Sequence, residues 1–268
     1  MLEENPASAS PMEQEAPVVQ ANWVVPTWNS YEEQLAQVTL EFQANVQALQ
    51  QNVSEQKLVL ARLQANFWGN GFSRGGDPTA FLNVILRCML PDSDVELVNI
   101  CARLCGATMT YMHDVPVDPD TLMRLLNICE VYLDGNGENA EPITQCVRTV
   151  LRISKAWREE AVRQGVAPIM VRALQEHGLT QIKVADNVGF AVTNVDVNVL
   201  GEAGLCKPLV DTLRHYTPLA KDSPDAWSVC DLMHTLLMRL DFDNDANRAR
   251  LREAGAFDAI RAWLPRCD

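Results

Sequence analysis

Cysteine, histidine, serine and the acidic residues are the side chains that do chemistry, and their spacing here argues against one reaction after another. Cysteines stand at positions 88, 101, 105, 129, 146, 206, 230 and 267, with no CxxC among them. A zinc site needs paired ligands at short spacing, and Cys101 with Cys105 is the one close pair. The four histidines, His113, His177, His215 and His234, supply no HxxxH. Most of the cysteines instead sit among Leu, Ile and Val at helical spacing, the pattern of reduced core thiols. No G-x-S-x-G occurs, and the serines lie mostly in the tail, in linkers or at helix ends, so no convergent nucleophile and base stand out. His177 and His215 lie where apolar-striped segments end, a position from which an imidazole caps the last carbonyls of its helix. Asp231 and His234, three apart, read as a surface ion pair. The run DFDNDAN (241–247) has calcium-like acidic spacing, yet counting from Asp241 the positions that require Gly and Glu hold Ala246 and Arg252. It reads as an inter-helix loop that offers Asn or Asp caps. GNGFSRGG (69–76) is preceded by no strand and followed by no GK[ST], which makes it a linker rather than a phosphate loop. No enzymatic activity, no metal and no cofactor are expected.

Charge narrows the partners. The chain has 268 residues, 47% of them hydrophobic, enough for a large core in one elongated domain or two compact ones. A net charge of −13 argues against nucleic acid and anionic membranes, because phosphate is gripped by Lys and Arg. No run of about 18 apolar residues is present, so no membrane insertion is expected. The segment MLEENPASASPMEQE is acidic and lacks the apolar core of a signal peptide, which points to the cytoplasm, with the nucleus as alternative.

The elements that must position any site are helices. Residues 1–30 are rich in Glu, Pro, Ala and Ser and read as a disordered acidic tail. Within it Trp23, Val24, Val25 and Trp28 expose apolar surface, either to lie on the chain's own domain or to serve as a linear motif. From 31 to 68, Leu35, Val38, Phe42, Val46, Leu49, Val53, Leu60, Leu63 and Phe67 recur mostly at steps of three and four, the mark of one long amphipathic helix. At 1.5 Å per residue it would be about 55 Å long, with a polar face made mostly of glutamine. It either caps the first repeat or pairs in trans as a coiled coil, giving a homodimer through 31–67. After the linker 69–76, residues 77–268 read as helix after helix. Asp77-Pro78 and Asp118-Pro119 each combine an N-cap with Pro at the first helical position. Three stretches also superimpose at Gly165, Gly204 and Gly255, which are 39 and 51 residues apart, each with a short amphipathic segment before the glycine and an apolar-striped one after it. Self-similarity near forty residues means stacked units that cannot bury their apolar faces alone.

This unit, a short helix, Gly, a second helix and a longer third one, resembles the armadillo repeat. The closest match is EEAVRQGVAPIMVRALQEHG followed by FAVTNV (190–195), where Phe190 and Asn194 stand in the tryptophan and asparagine positions of the family's W-A-L-x-N-I stretch. LGEAGLCKPLVDTLRHY and LREAGAFDAIRAWL fit the first two helices. The units at 77–110 and 118–156 match more loosely, HEAT-type helical pairs remain an alternative for them, and the short helix expected over 111–117 is lost. The resemblance implies an all-α, right-handed α-solenoid of about four armadillo-like repeats plus a terminal half, with the third helices lining a concave groove. In the family that groove binds extended peptides, the asparagine position holding the ligand backbone and the tryptophan position forming apolar slots.

Aligning the third helices by their apolar stripes gives a ladder of Arg103, Arg152, Asn194 and Arg239, flanked one turn earlier by Asn99, Arg148, Phe190 and Thr235. Arginines recurring there would make a positive stripe that pairs with carboxylates bidentately. The competing account makes them solvated helix residues or intramolecular ion-pair partners, and the acidic tail is a further candidate occupant of the groove. The functional expectation is a non-catalytic adaptor or scaffold holding an extended, acidic segment of a partner protein. The alternatives are a co-chaperone nucleotide-exchange factor of armadillo type, by analogy of fold alone, and a structural subunit of a larger assembly.

Overall fold

The computed structural model describes residues 95–109, 115–133, 137–242 and 244–264, with Met112 and single positions between 79 and 89, and short polar breaks separate the eleven helices whose bounds fall among them. They are α1 (Val95–Met109), α2 (Pro119–Leu133), α3 (Ala140–Ile153), α4 (Lys155–Arg163), α5 (Val166–His177), α6 (Ile182–Val192), α7 (Val197–Glu202), α8 (Cys206–Tyr216), α9 (Pro224–Asp241), α10 (Asp245–Ala254) and α11 (Ala256–Trp263). Among the described residues the fold is all-α. The tail, the 31–68 segment, the 69–76 linker, Asp77-Pro78, Cys88, His113 and Cys267 lie outside them.

Each break has a local cause. Asp118 Oδ1 accepts the Asp120 N–H at 3.2 Å, opening α2 at Pro119 as expected. Ser154 is extended and its Oγ accepts the Trp157 N–H, so α3 stops and α4 starts one residue apart. Asp196, Ser223 and Asn244 cap α7, α9 and α10 in the same way. The last of these makes DFDNDAN the capping loop its composition suggested. Gly165, at φ 89°, turns α4 into α5 through the left-handed region that side chains avoid. Met112 and residues 115–118 are not helical, in keeping with a lost first helix at that point.

One core runs from Leu82 to Trp263. One series of helices meets in sequence: α3 packs against α1 and α6, and α6 packs against α9. A second series, α2, α5, α8 and α11, makes its own neighbouring contacts. Polar side chains tie successive units together at a regular distance along the sequence. Trp157 Nε1 donates to Val115 O, 42 residues away, and Arg172 to Glu130 O, also 42 away. His177 Nε2 lies 3.0 Å from Leu133 O, Gln181 donates to Gly137 O, and Tyr216 Oη donates to Gly178 O at 2.8 Å. These separations are 44, 44 and 38 residues. Several of the carbonyls belong to helix ends, which have no acceptor role left inside their own helix. One unit's side chains therefore satisfy the backbone of the unit about forty residues away. His177 is corrected by this: it reaches the end of α2 rather than the end of its own helix.

Candidate partner-binding face

The predicted site residues divide into those consumed by packing and those left outward. Arg148, on α3, is consumed. Its Nη1 donates to Asp186 Oδ2 and to Asn187 Oδ1, both at 3.1 Å, and its Cζ lies 4.4 Å from the centroid of the Phe190 ring. A carboxylate, an amide and an aromatic face thus surround one guanidinium, at the junction of α3 with α6. Arg148 and Phe190 were expected to form open slots for a ligand. They fill each other's space instead, because the cation sits where the ring's negative face is available.

Asn187 explains why this junction is specific. It is buried, its Nδ2 donates to Glu141 O at 3.2 Å and to Thr144 Oγ1 at 3.3 Å, and its Oδ1 serves Arg148. A buried amide with these bonds satisfied fixes the register of α6 on α3. Arg239 is likewise half-buried, donating from Nη1 to Thr193 O across α9 and α6. Thr193 is the C-cap of α6, so Arg239 closes an orphan carbonyl at a helix's negative end. The expected equivalence of Arg103, Arg152 and Arg239 as free ligand-gripping cations fails at Arg239 for this reason.

Asn194 is exposed, as a ligand-facing residue must be, yet it stands beyond α6 rather than on it. Thr193 Oγ1 turns back to Phe190 O at 2.8 Å, and beyond it the chain leaves the helix in a turn in which the Val195 N–H goes to Val192 O. Asn194 Nδ2 is 3.5 Å from Thr193 Oγ1, so it neighbours the carbonyl that Arg239 holds. Arg103 on α1, Arg152 on α3 and Thr235 on α9 are exposed. No acidic side chain pairs with Arg103 or Arg152 among the described residues. Asn99 is half-buried, and its Oδ1 has no donor among the described residues. What remains exposed are two guanidinium groups, an amide and a hydroxyl, on α1, on α3, just after α6 and on α9. Guanidinium groups can pair with carboxylates, and the amide and hydroxyl can hydrogen-bond a backbone.

The remaining chemistry-bearing residues are accounted for by structure. Asp231 and His234 make no ion pair with each other, contrary to expectation, since neither carries a salt bridge among the described residues. His215 stacks edge-on against Tyr216, with ring centroids 4.7 Å apart. Cys101, Cys105, Cys129, Cys146, Cys206 and Cys230 are buried and in no disulfide. Burial pushes the Cys105 thiol well above its ordinary range, helped by a hydrogen bond to Cys146 and the proximity of Cys146, Cys101 and Cys129. Burial likewise raises Cys129, followed by the proximity of Cys146. Thiols held protonated in this way are poor nucleophiles and poor ligands. The described residues contain no group of three side chains able to hold a metal ion, and no described helix is long and apolar enough to cross a membrane. A shallow groove also lies on the outer side of α2, lined by Met89, Met123, Arg124, Ile128 and Val131.

Sequence reasoning missed Asn187, Tyr216 and Asn247, the buried polar residues that join units. The one available signal was a polar residue inside an apolar run, as in VADNVGF around Asn187. No protein-family model, no curated protein and no solved structure matches the chain at a significant level.

Proposed function

We propose that this chain is a non-catalytic interaction protein, an adaptor or scaffold of armadillo-like, right-handed solenoid architecture. It holds an extended, acidic segment of a partner along the face made by α1, α3, α6 and α9. The architecture is supported by the recurrence of cross-unit hydrogen bonds at 38 to 46 residues, from Arg148–Asp186 to Arg239–Thr193. The binding reading rests chiefly on one observation: Arg103 and Arg152 are exposed on adjacent helices with no acidic partner among the described residues, in a chain of net charge −13. Where acidic groups are plentiful, guanidinium groups left unpaired are available to carboxylates from outside, and their planar fork favours bidentate capture. Asn194 and Thr235 add groups that hydrogen-bond a strand whose own backbone has no partner. Six buried thiols outside any disulfide fit a reducing compartment such as the cytoplasm.

The test is selection from a display library of random peptides of about sixteen residues. The wild-type chain is expected to enrich peptides with spaced Asp and Glu. Arg103→Glu with Arg152→Glu should weaken the selected peptides by about tenfold or more. Its melting temperature should match the wild type, because both side chains are exposed and unbonded. Equal binding by this double variant would remove the face from consideration. Arg239→Glu is unsuitable for this purpose, since it breaks the bond to Thr193 O and perturbs packing as well as charge.

A further inference from the structure

Among the described residues the regular stacking ends with α10 and α11, and none of them fills the next helix position, the vacancy beside α9 and α11. α6 lies between α3 and α9 and also packs on α5, the preceding helix of its own unit. The last unit supplies α10 and α11, and among the described residues no helix occupies the position beside α9 and α11 that α6 occupies beside α3 and α5.

The walls of that position are apolar and exposed. On α9, Asp225 pairs with Lys183 at 3.1 Å, Leu232 and Met233 meet Gly189, and Arg239 bonds Thr193 O, so this side of the helix faces α6. At about 100° per residue, Trp227, His234 and Met238 fall on the opposite side. Trp227 is 44% exposed and Met238 52%. Phe257 on α11 and Leu264, its C-cap, lie seven residues apart along one face and are 74% and 51% exposed. Trp227 and Trp263, with ring centroids 6.1 Å apart, join the two helices. Six of the nine large hydrophobic residues exposed among the described ones lie between Leu219 and Leu264, so the signal is concentrated here.

We infer that this position is an interaction surface for an amphipathic helix, and that its occupant is the 31–67 segment of a second copy of the chain. That segment carries an apolar stripe from Leu35 to Phe67 at helical spacing, which needs an apolar partner. Its polar face is mostly glutamine and brings little charge to an acidic body. The same copy's segment is poorly placed to reach. Residues 68–78 span about 40 Å at most when fully extended. Four unit spacings at roughly 8–10 Å separate Thr79 from the vacancy before any detour around the helices. A second copy has no such restraint, and reciprocal exchange closes a two-fold dimer.

The test uses the full-length chain in sedimentation equilibrium from about 1 to about 100 μM. A concentration-dependent dimer is expected. Met238→Asp with Phe257→Asp should weaken it about tenfold or more while leaving helicity and melting unchanged, since both side chains are exposed. A benzophenone amino acid at position 238 should cross-link to peptides from residues 31–67, and mixed isotope-labelled and unlabelled chains should show the link running between copies. A chain that stays monomeric, a dimer indifferent to the two substitutions, or cross-links confined to one copy would each overturn the assignment. The outcome is independent of Arg103 and Arg152, which lie on other helices.

Discussion

At the scale of single residues, the polar groups that matter most are those whose partners sit one unit away. Asn187 is the clearest case. It serves Glu141 O, Thr144 Oγ1 and Arg148 at once, and it is 5% exposed. Truncating it leaves a carbonyl and a guanidinium short of partners in a site that water enters poorly. The desolvation of an unmade buried hydrogen bond costs roughly 1–3 kcal/mol. Asn187→Ala is therefore expected to lower stability by about 2 kcal/mol in urea unfolding. Asp186→Asn should do less, because Arg148 keeps Asn187 and the Phe190 ring, and the Asp186 pair is only partly buried, with side chains 19% and 25% exposed. A larger loss from Asp186→Asn than from Asn187→Ala would mean that the ion pair, not the amide, sets the register. The same residues show why a ligand-facing role could not be read from position alone. Arg148 occupies the predicted turn of α3, but its fate was decided by an acid, an amide and a ring contributed from 38 to 42 positions downstream.

At the scale of helices, two glycines separate what a local pattern reveals from what it hides. Gly165 holds φ 89° with no heavy atom near its missing side chain, so only backbone strain opposes a larger residue. Ala in that conformation costs roughly 1–2 kcal/mol. Gly201 lies inside α7, and a side chain there would strike the Asn247 amide from α10. Asn247 is fully buried and donates to Val197 O at 2.9 Å, so Gly201→Ala must displace a bonded, buried group. We expect Gly201→Ala to destabilise by about 2–4 kcal/mol, more than Gly165→Ala, with chemical denaturation giving the order. The reverse order would show that α7 yields without disturbing Asn247. Gly165 was legible in the sequence, because turns with left-handed glycine recur beside amphipathic segments. So were the caps at Asp118 and in DFDNDAN. The role of Gly201 was not legible, since its reason stands 46 residues away. The early end of α6 was missed similarly: an apolar stripe continues through Val195, yet the helix ends at Val192 with Thr193 as its C-cap.

At the scale of the whole molecule, contacts between units run to immediate neighbours, and this dictates how damage should spread. Trp157 is fully buried at the start of α4 and donates from Nε1 to Val115 O at 3.2 Å, while α4 packs on α2, α3 and α5. Trp157→Ala opens a large cavity, costing roughly 3–5 kcal/mol, and removes that hydrogen bond. If stability passes only between neighbours, the loss concentrates where the cavity is. Amide hydrogen exchange in α2 to α5 should then accelerate by about 10²-fold or more in the variant. α10 and α11, two units on, should change by less than about threefold, because α8 and α9 still cover them. The continuous core from Leu82 to Trp263 makes the opposite result physically meaningful. Equal acceleration from α2 to α11 would show one cooperative body, in which the binding face could not be altered in one unit without loosening the rest. Graded acceleration instead lets Arg103 and Arg152 be changed, or the vacancy beside α9 and α11 be filled, with little consequence elsewhere in the chain.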